Sequence, residues 1–524
     1  MRALKLASVV CLALVASAHV GSPDVFFTGH AGPYVVRVTI RPPAVVPGIA
    51  HVTVRTSPEV NGVFLRPVFW RAGSRGAPSA DATRRLAEGR KGGRERGGGR
   101  GDAQTFDGSL WRMARGAYTV DVIVTGTRGT ANVLVPVASV ATGRLAISPG
   151  LGVMLVLLGV LLCAGLVNIV YKGAGESLVG PSDALDAARR RRARRAAAIA
   201  VPIVALGVFG GARWWGAVDH DYERTMYRPA PLKLSLSRDV LRLETTDTLW
   251  QPPGRPSALI KDHGKLMHLF LIRQGDARAF AHLHPEPADT SIIPAFVTKL
   301  PPLPAGTYRV YGDVVHETGF ERTLVGSVTL QDSSALFPKA RTDVKATGRR
   351  ELKSDPDDAW FVGEASREKI TKLADGSTME LQIIPNGLIQ AEREETIRIT
   401  VRDSTGRLAA LEPYLGMMAH GVVTRVDGAV YVHLHPMGTI TTAAQDAFLA
   451  RDRGDTTSEG RLLLEDHMVH DSSTVSATSP ESVIEFPYAF PTAGSYRLFV
   501  QVKRSGRVLT GAYAITVTES AAAR

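Results

Sequence analysis

The chain has 524 residues, with 62 Lys and Arg against 50 Asp and Glu, and a net charge of +12. That length holds about three domains of ~150 residues. Much of the basic excess sits in two local clusters, so it gives no warrant for nucleic-acid binding. One of the two cysteines lies in a leader and the other in an apolar span, which excludes a disulfide framework.

Residues 1–18 read as a signal peptide. Arg2 and Lys5 supply the positive start, Leu6–Val15 the apolar stretch, and Ala16-Ser17-Ala18 a small-residue cleavage site. Cleavage there makes His19 the first mature residue. Residues 19–148 are expected to form an extracytoplasmic β-sandwich. PYVVRVTIRPP, AHVTVRT and GAYTVDVIVTG alternate or carry β-branched runs between Gly, Pro and Asn breaks. The Gly- and Arg-rich stretch between Arg71 and Gln104 has no periodicity and reads as an inserted loop.

Residues 149–171 hold LGVMLVLLGVLLCAGLVNIVY, long enough and free enough of charge to span a bilayer. A second candidate span covers 196–216, interrupted by Pro202, glycines and Arg213. Between them, 172–195 carries the run RRRRARR (Arg189–Arg195), which the positive-inside rule places in the cytoplasm. Trp214 and Trp215 suit the outer interface. Leader and loop charge agree on one topology: a multi-pass protein of a bacterial cytoplasmic membrane with its large domains outside. RRRRARR then acts as a topology determinant touching anionic lipid.

Residues 217–335 form a second β-rich unit, 336–366 a polar linker, and 367–524 a third β-rich unit. The fold class expected is mainly β: three immunoglobulin-like or cupredoxin-like sandwich modules, with two transmembrane helices between the first and second. Strands without intervening amphipathic helices argue against a parallel α/β core. The second and third units read as repeats. His268, a β-run and HLHP at 282–285 match His420, a β-run and HLHP at 433–436. Downstream, Pro304-Ala305-Gly306-Thr307-Tyr308-Arg309 parallels Thr492-Ala493-Gly494-Ser495-Tyr496-Arg497, and the first unit keeps a trace in Arg115-Gly116-Ala117-Tyr118. A long insert, 438–480, separates the second HLHP from its turn.

Residues two apart on a strand share a face, so His282 with His284, and His433 with His435, form ready chelates. The proposed metal sites are His268, His282 and His284, and His420, His433 and His435, the upstream histidine reaching in from the neighbouring strand. Five methionines (Met267, Met417, Met418, Met437, Met468) lie within three residues of a histidine. Imidazole with thioether and no thiolate favours copper, with zinc the alternative. The competing reading is structural: a histidine beside a proline at a strand end can cap a turn, and duplication makes the two HLHP copies one observation. Asp466-His467-Met468-Val469-His470-Asp471 and His316-Glu317 are further candidates that read equally as solvated loop. A mature His19 with a second imidazole, His30 or His51, would make a histidine brace.

The stretch from PYLGMMAHGVVTRVDGAVYVHLHPMG to FPTAGSYRLFVQV resembles uncharacterised bacterial exported or membrane-anchored β-sandwich proteins with HxHP motifs, across roughly residues 412–502. An N-terminal histidine on a sandwich is similar to the periplasmic copper-resistance sandwiches and, more distantly, to copper monooxygenases. These resemblances imply metal binding and bring no assigned reaction. No nucleophile elbow, P-loop, HExxH or GxGxxG is present in the right context.

Sequence alone therefore points to a membrane-anchored, extracytoplasmic copper-binding protein that sequesters metal or passes it to a metal acceptor in the envelope. Binding rather than catalysis is the expectation. The alternatives are a non-catalytic immunoglobulin-like envelope protein with a protein partner, and a copper-dependent oxidase or monooxygenase. Because neutral imidazole is the ligand form, metal binding is expected to weaken as pH falls through ~6.5.

Overall fold

In the computed structural model the described residues are 19–20, 24–86, 104–112, 114–145, 147–177, 186–245, 257–331, 353–457, 460–463 and 482–520. Residues 1–18, read above as a signal peptide, residues 87–103 of the Gly/Arg-rich stretch, the start of the expected linker and the Asp466–Asp471 motif lie outside them. Among the described residues the chain is mainly β, with several sheets and three α-helices. It divides into two compact units, Met1–Ser139 with Pro229–Arg524, and Val140–Arg228.

The N-terminal part of the first unit has β1 (Val25–Ala31), β2 (Tyr34–Arg41), β3 (Gly48–Thr56), β4 (Val60–Phe69), β5 (Gln104–Arg112), β6 (Gly116–Gly126) and β7 (Gly129–Ser139). Strands β1-β2-β3-β5 make one sheet and β7-β6-β4 the other. Their inward residues, such as Val36, Val38, Val52, Val63, Val122 and Val135, form one core. Part of the predicted loop is ordered: Asp81–Ala82 pairs with β4 and Arg84–Arg85 with β5. Backbone groups there find ladder partners, and Thr83 donates through both its backbone N–H and its hydroxyl to the Val63 carbonyl.

The second unit contains α1 (Pro149–Glu176) and α2 (Ala187–Arg224), which lie against one another. Both are long and apolar enough to cross a membrane. The second helix is longer than its apolar block. Asp186 caps it by accepting from the Arg189 N–H, and the RRRRARR run forms its first turns rather than part of a loop.

The central segment of the first unit has β8 (Ala230–Ser237), β9 (Val240–Thr245), β10 (His268–Arg273), β11 (Ala279–Leu283), β12 (Phe296–Lys299), β13 (Gly306–His316), β14 (Glu321–Leu330) and β15 (Ala359–Val362). They form one continuous sheet in the order β12-β9-β8-β14-β13-β10-β11-β15. The sheet turns over at β8, which pairs with β14 through Ala230 and Pro231 and with β9 from Leu232 onward. Leu241, Leu243 and Phe296 then face Leu269, Leu271 and Tyr308 across a core. Strand β15 belongs to the segment expected to be a linker; it pairs with β11 as an edge strand.

The C-terminal segment has β16 (Thr378–Ile384), β17 (Glu394–Arg402), β18 (His420–Arg425), β19 (Val430–Leu434), α3 (Thr442–Arg453), β20 (Val483–Ala489), β21 (Gly494–Arg504) and β22 (Arg507–Val517). One sheet runs β16-β17-β20 and the other β19-β18-β21-β22. Both segments carry a tyrosine corner. Tyr308 donates to the Pro304 carbonyl at 2.7 Å and Tyr496 to the Thr492 carbonyl at 2.7 Å. The preceding glycines sit at φ 145° and 147°, which a side chain resists.

Candidate metal centre

Strand β11 is buried on both faces and β10 on all but its last residue. On one side Leu269, Leu271, Ala281 and Leu283 fill the central core. On the other, Phe270, Ile272 and Phe280 join Tyr311, Val422, Tyr431 and Phe499 in a second apolar cluster. That cluster joins the two HLHP-bearing segments. Phe280 stacks on Phe499 with centroids 4.3 Å apart, and Tyr311 on Tyr431 at 3.9 Å.

The i, i+2 alternation that sends Phe270 and Phe280 into this interface sends His268, His282 and His284 to the same side. From the other segment, Tyr431, His433 and His435 share a side in the same way. The histidines therefore meet. Ring centroids of His282 and His284 are 4.5 Å apart, as are those of His433 and His435. Across the interface His268 lies 5.6 Å from His433, and His282 6.3 Å from His420.

A seventh imidazole joins them. Asp262-His263-Gly264-Lys265 closes on itself by an Asp262–Lys265 bridge, with φ 52° and 80° at its two central residues. Tyr414-Leu415-Gly416-Met417 has the same bridge, with φ 51° and 76°. Both are primed turns six residues ahead of the strand histidine, so the repeat extends further upstream than the motifs suggested. The first turn carries His263 to the other segment, 5.4 Å from His420 and 5.3 Å from His435. Asp262 is buried, and its Oδ1 accepts from the Thr442 hydroxyl and the Ala443 N–H at the start of α3.

Among the described residues three groups could each hold a metal ion, the ligand atoms within each lying within 4.8 Å of one another: His268 with His282 and His284, His263 with His420 and His435, and His284 with Asp355 and Asp358, which shares His284 with the first. The first is the trio expected from sequence. In the second, His263 stands where His433 was expected, because the facing turn carries it in from the other segment to within reach of His420 and His435. His433 lies between the groups, with its Nδ1 3.6 Å from Asp313 Oδ2.

The outer ring nitrogens are anchored. His282 Nδ1 donates to Gln501 Oε1 at 2.8 Å and approaches the Tyr414 hydroxyl at 3.3 Å. His284 Nδ1 faces Asp358 Oδ1 at 3.1 Å, His435 Nδ1 the Ile440 carbonyl at 2.9 Å, and His268 Nε2 the Asp262 carbonyl at 3.2 Å. Such contacts set the tautomer, leaving the opposite nitrogen with a lone pair. Among the described residues, Nε2 of His284, His433 and His435 and both ring nitrogens of His420 are buried without a hydrogen-bond partner.

Burial dominates the electrostatics. It drives His282, His284, His420 and His433 well below the ordinary imidazole range, with neighbouring histidines adding to the effect. His268 is lowered too, and His435 falls to about 4. The rings are thus neutral near pH 7, the form that binds metal. Burial lifts Asp358 to about 7.

The remaining candidates stand elsewhere. His30 is exposed on β1, and His51 on β3 lies 3.4 Å from the Ser109 hydroxyl. Among the described residues neither joins a ligand group. The backbone of His19 pairs with Val430 at the start of β19. His316 bonds the Ser257 carbonyl at 3.1 Å. Met267, Met418 and Met437 pack in or against the three cores.

Sequence reasoning did not single out His263, Gln501, Asp313, Tyr414 or Asp358. For His263 the signal existed: an x-Gly step at equal distance ahead of each repeat's first histidine. The others lie on partner strands and turns that only pairing register brings close.

No curated protein matches the chain. Among solved structures it is similar to dimeric latent PorU from Porphyromonas gingivalis, at 10% identity over 90% of this chain and 32% of that one, with a TM-score of 0.14. It is also similar to an ICAM-5 ectodomain fragment, at 9% identity over 93% and 78% with a TM-score of 0.14. An endo-fucoidan hydrolase of glycoside hydrolase family 107 matches at 9% identity over 91% and 43%, with a TM-score of 0.13. The chain spans about a third of the PorU length, and likenesses of this size carry no argument about fold or function. Residues 242–331 and 371–519, which include both HLHP motifs, match the family described as a domain of unknown function (DUF8832).

Proposed function

We propose that this chain is a membrane-anchored, extracytoplasmic copper-binding protein built from three β-sandwich modules, which sequesters the metal or passes it to an acceptor in the envelope. One observation carries the reading: the buried Nε2 atoms of His284 and His435 lack protein partners while their Nδ1 atoms are held, and beside them His433 Nε2 and both ring nitrogens of His420 are buried without partners. An unpaired buried polar atom costs about 1–3 kcal/mol, and several gathered together call for a cation. Imidazole suits both copper and zinc, whereas structural zinc usually recruits thiolate, and Cys163 lies in an apolar helix remote in sequence from every histidine of the cluster. Copper is therefore the better match. The leader-like N-terminal stretch and the basic run in the first turns of α2 support placing the β-rich segments outside the membrane.

The test is titration of the full-length, metal-stripped chain in detergent with Cu(I), Cu(II) and Zn(II). Tight copper binding is expected, weakened at least about a hundredfold in the His282→Ala/His433→Ala double variant. A folded chain that binds none of these ions, or a double variant that binds as the parent does, overturns the proposal.

A further inference from the structure

We infer that the seven histidines hold two metal ions at once, in a single dinuclear centre whose second ion is bound by both HLHP-bearing segments together; this rests on the metal-binding reading above. The two all-histidine groups share no residue. The copper or zinc considered above takes about four such donors, so one ion leaves part of the six unused.

In the first group the tautomers decide the matter. His268 Nε2 donates to the Asp262 carbonyl, and His282 Nδ1 to Gln501. The Tyr414 hydroxyl donates to the Asp357 carbonyl at 2.9 Å, so towards His282 it is an acceptor as well. His268 Nδ1 and His282 Nε2 are left as two lone pairs 3.1 Å apart. Lone pairs at that distance repel unless a cation lies between them. With metal–nitrogen bonds of about 2.0–2.1 Å, the spacing corresponds to an N–metal–N angle of about 100°. His284 Nε2, also without a partner, completes three donors.

The second group has its own unmet nitrogens. His435 is anchored through Nδ1 and leaves Nε2 without a partner, and His420 leaves both of its nitrogens so. Its third member, His263, comes from the other segment. His433 stands between the groups, 5.5 Å from His420 and 5.6 Å from His268, with a buried Nε2 available to either ion.

Charge agrees with two ions. Three carboxylates lie beside the cluster, Asp262 buried and Asp313 and Asp358 half-buried: Asp262 beside His263 at 3.7 Å, Asp313 beside His433 at 3.6 Å, and Asp358 beside His284 at 3.1 Å. A carboxylate sunk beside neutral imidazoles, as Asp262 is, is unfavourable unless a cation accompanies it. The groups also differ in origin. The first lies wholly within the central segment, whereas the second exists only when the segments dock, so its ion cross-links them.

The test loads the full-length chain in detergent with Cu(II) and reads copper per chain by elemental analysis and spin coupling by electron paramagnetic resonance. Two copper ions per chain are expected, with a half-field transition or loss of integrated signal from the coupled pair. His263→Leu copies the residue that the other repeat carries in its matching turn, so it preserves the turn. It and His284→Gln should each retain one ion with an isolated Cu(II) spectrum, and thermal unfolding of the metal-free variants confirms their fold. A saturated parent holding one ion overturns the dinuclear centre and leaves the proposed function standing, while no bound copper overturns that function itself. Two ions without coupling, or two ions in folded His263→Leu, overturn the arrangement.

Discussion

Asp313 and Gln501 occupy the same place in the two repeats. Asp313 pairs with His268 on β10, and Gln501 with His420 on β18. Each side chain reaches the first HLHP histidine of the other segment: Gln501 holds His282, and Asp313 faces His433 while also accepting from the Tyr431 hydroxyl at 2.9 Å. The carboxylate makes His433 the more electron-rich ligand and the amide leaves His282 less so. Gln501→Ala should weaken copper binding about 10–100-fold without altering the number of ions bound, measured by competition with a chelator of known affinity. Unchanged affinity would show that the Gln501 contact does not tune the site. Neither residue stands near a histidine in sequence, and only strand register puts them there.

At the scale of elements, the hairpin that carries the first HLHP serves two cores. Leu269 and Leu271 support the central core, and Phe270 and Ile272 the interface. The interface is further held by Arg309, whose guanidinium donates to the Val426 and Asp427 carbonyls in the hairpin between β18 and β19. Phe499 is fully buried there, stacked on Phe280. Phe499→Ala should cost about 3–5 kcal/mol, read as a lower midpoint in denaturant unfolding followed by intrinsic fluorescence. A loss below about 1 kcal/mol would mean that the segments do not depend on this contact.

Across the whole molecule, burying so many imidazoles couples stability to pH. An unfolded histidine takes up a proton near pH ~6.5, whereas these folded rings resist protonation to lower pH, about 4 for His435. Between those values the unfolded chain binds more protons, so the stability of the metal-free protein falls as pH falls. Thermal midpoints of the metal-stripped chain should drop between pH 7 and pH 4.5, and copper should blunt the drop by occupying the lone pairs. A flat metal-free profile would contradict the burial of neutral rings. Because protonation is already suppressed, copper retention should also persist below the ~6.5 expected from sequence alone. The N-terminal segment belongs to this assembly: the Thr28 N–H donates to the Met437 carbonyl, just beyond the second HLHP, and Arg55 pairs with Glu394. For that reason the full chain, rather than a C-terminal fragment, is the species to test.

Local chemistry determined much of this by itself. Alternation placed His282 with His284 and His433 with His435, β-branched runs gave a mainly β chain, uninterrupted apolarity marked two helices, and the repeat tied Tyr308 to Tyr496. Each is a property of residues a few positions apart, where backbone geometry fixes the outcome. The tertiary structure decided what those pairs face. Two sites read as separate became one cluster because the histidine-bearing sides of both repeats are also their apolar sides, and burying Phe280 against Phe499 brings the imidazoles together. His263, Gln501 and Asp313 entered for the same reason: their roles depend on a neighbour some tens to more than two hundred residues away, and sequence spacing carries no record of that distance.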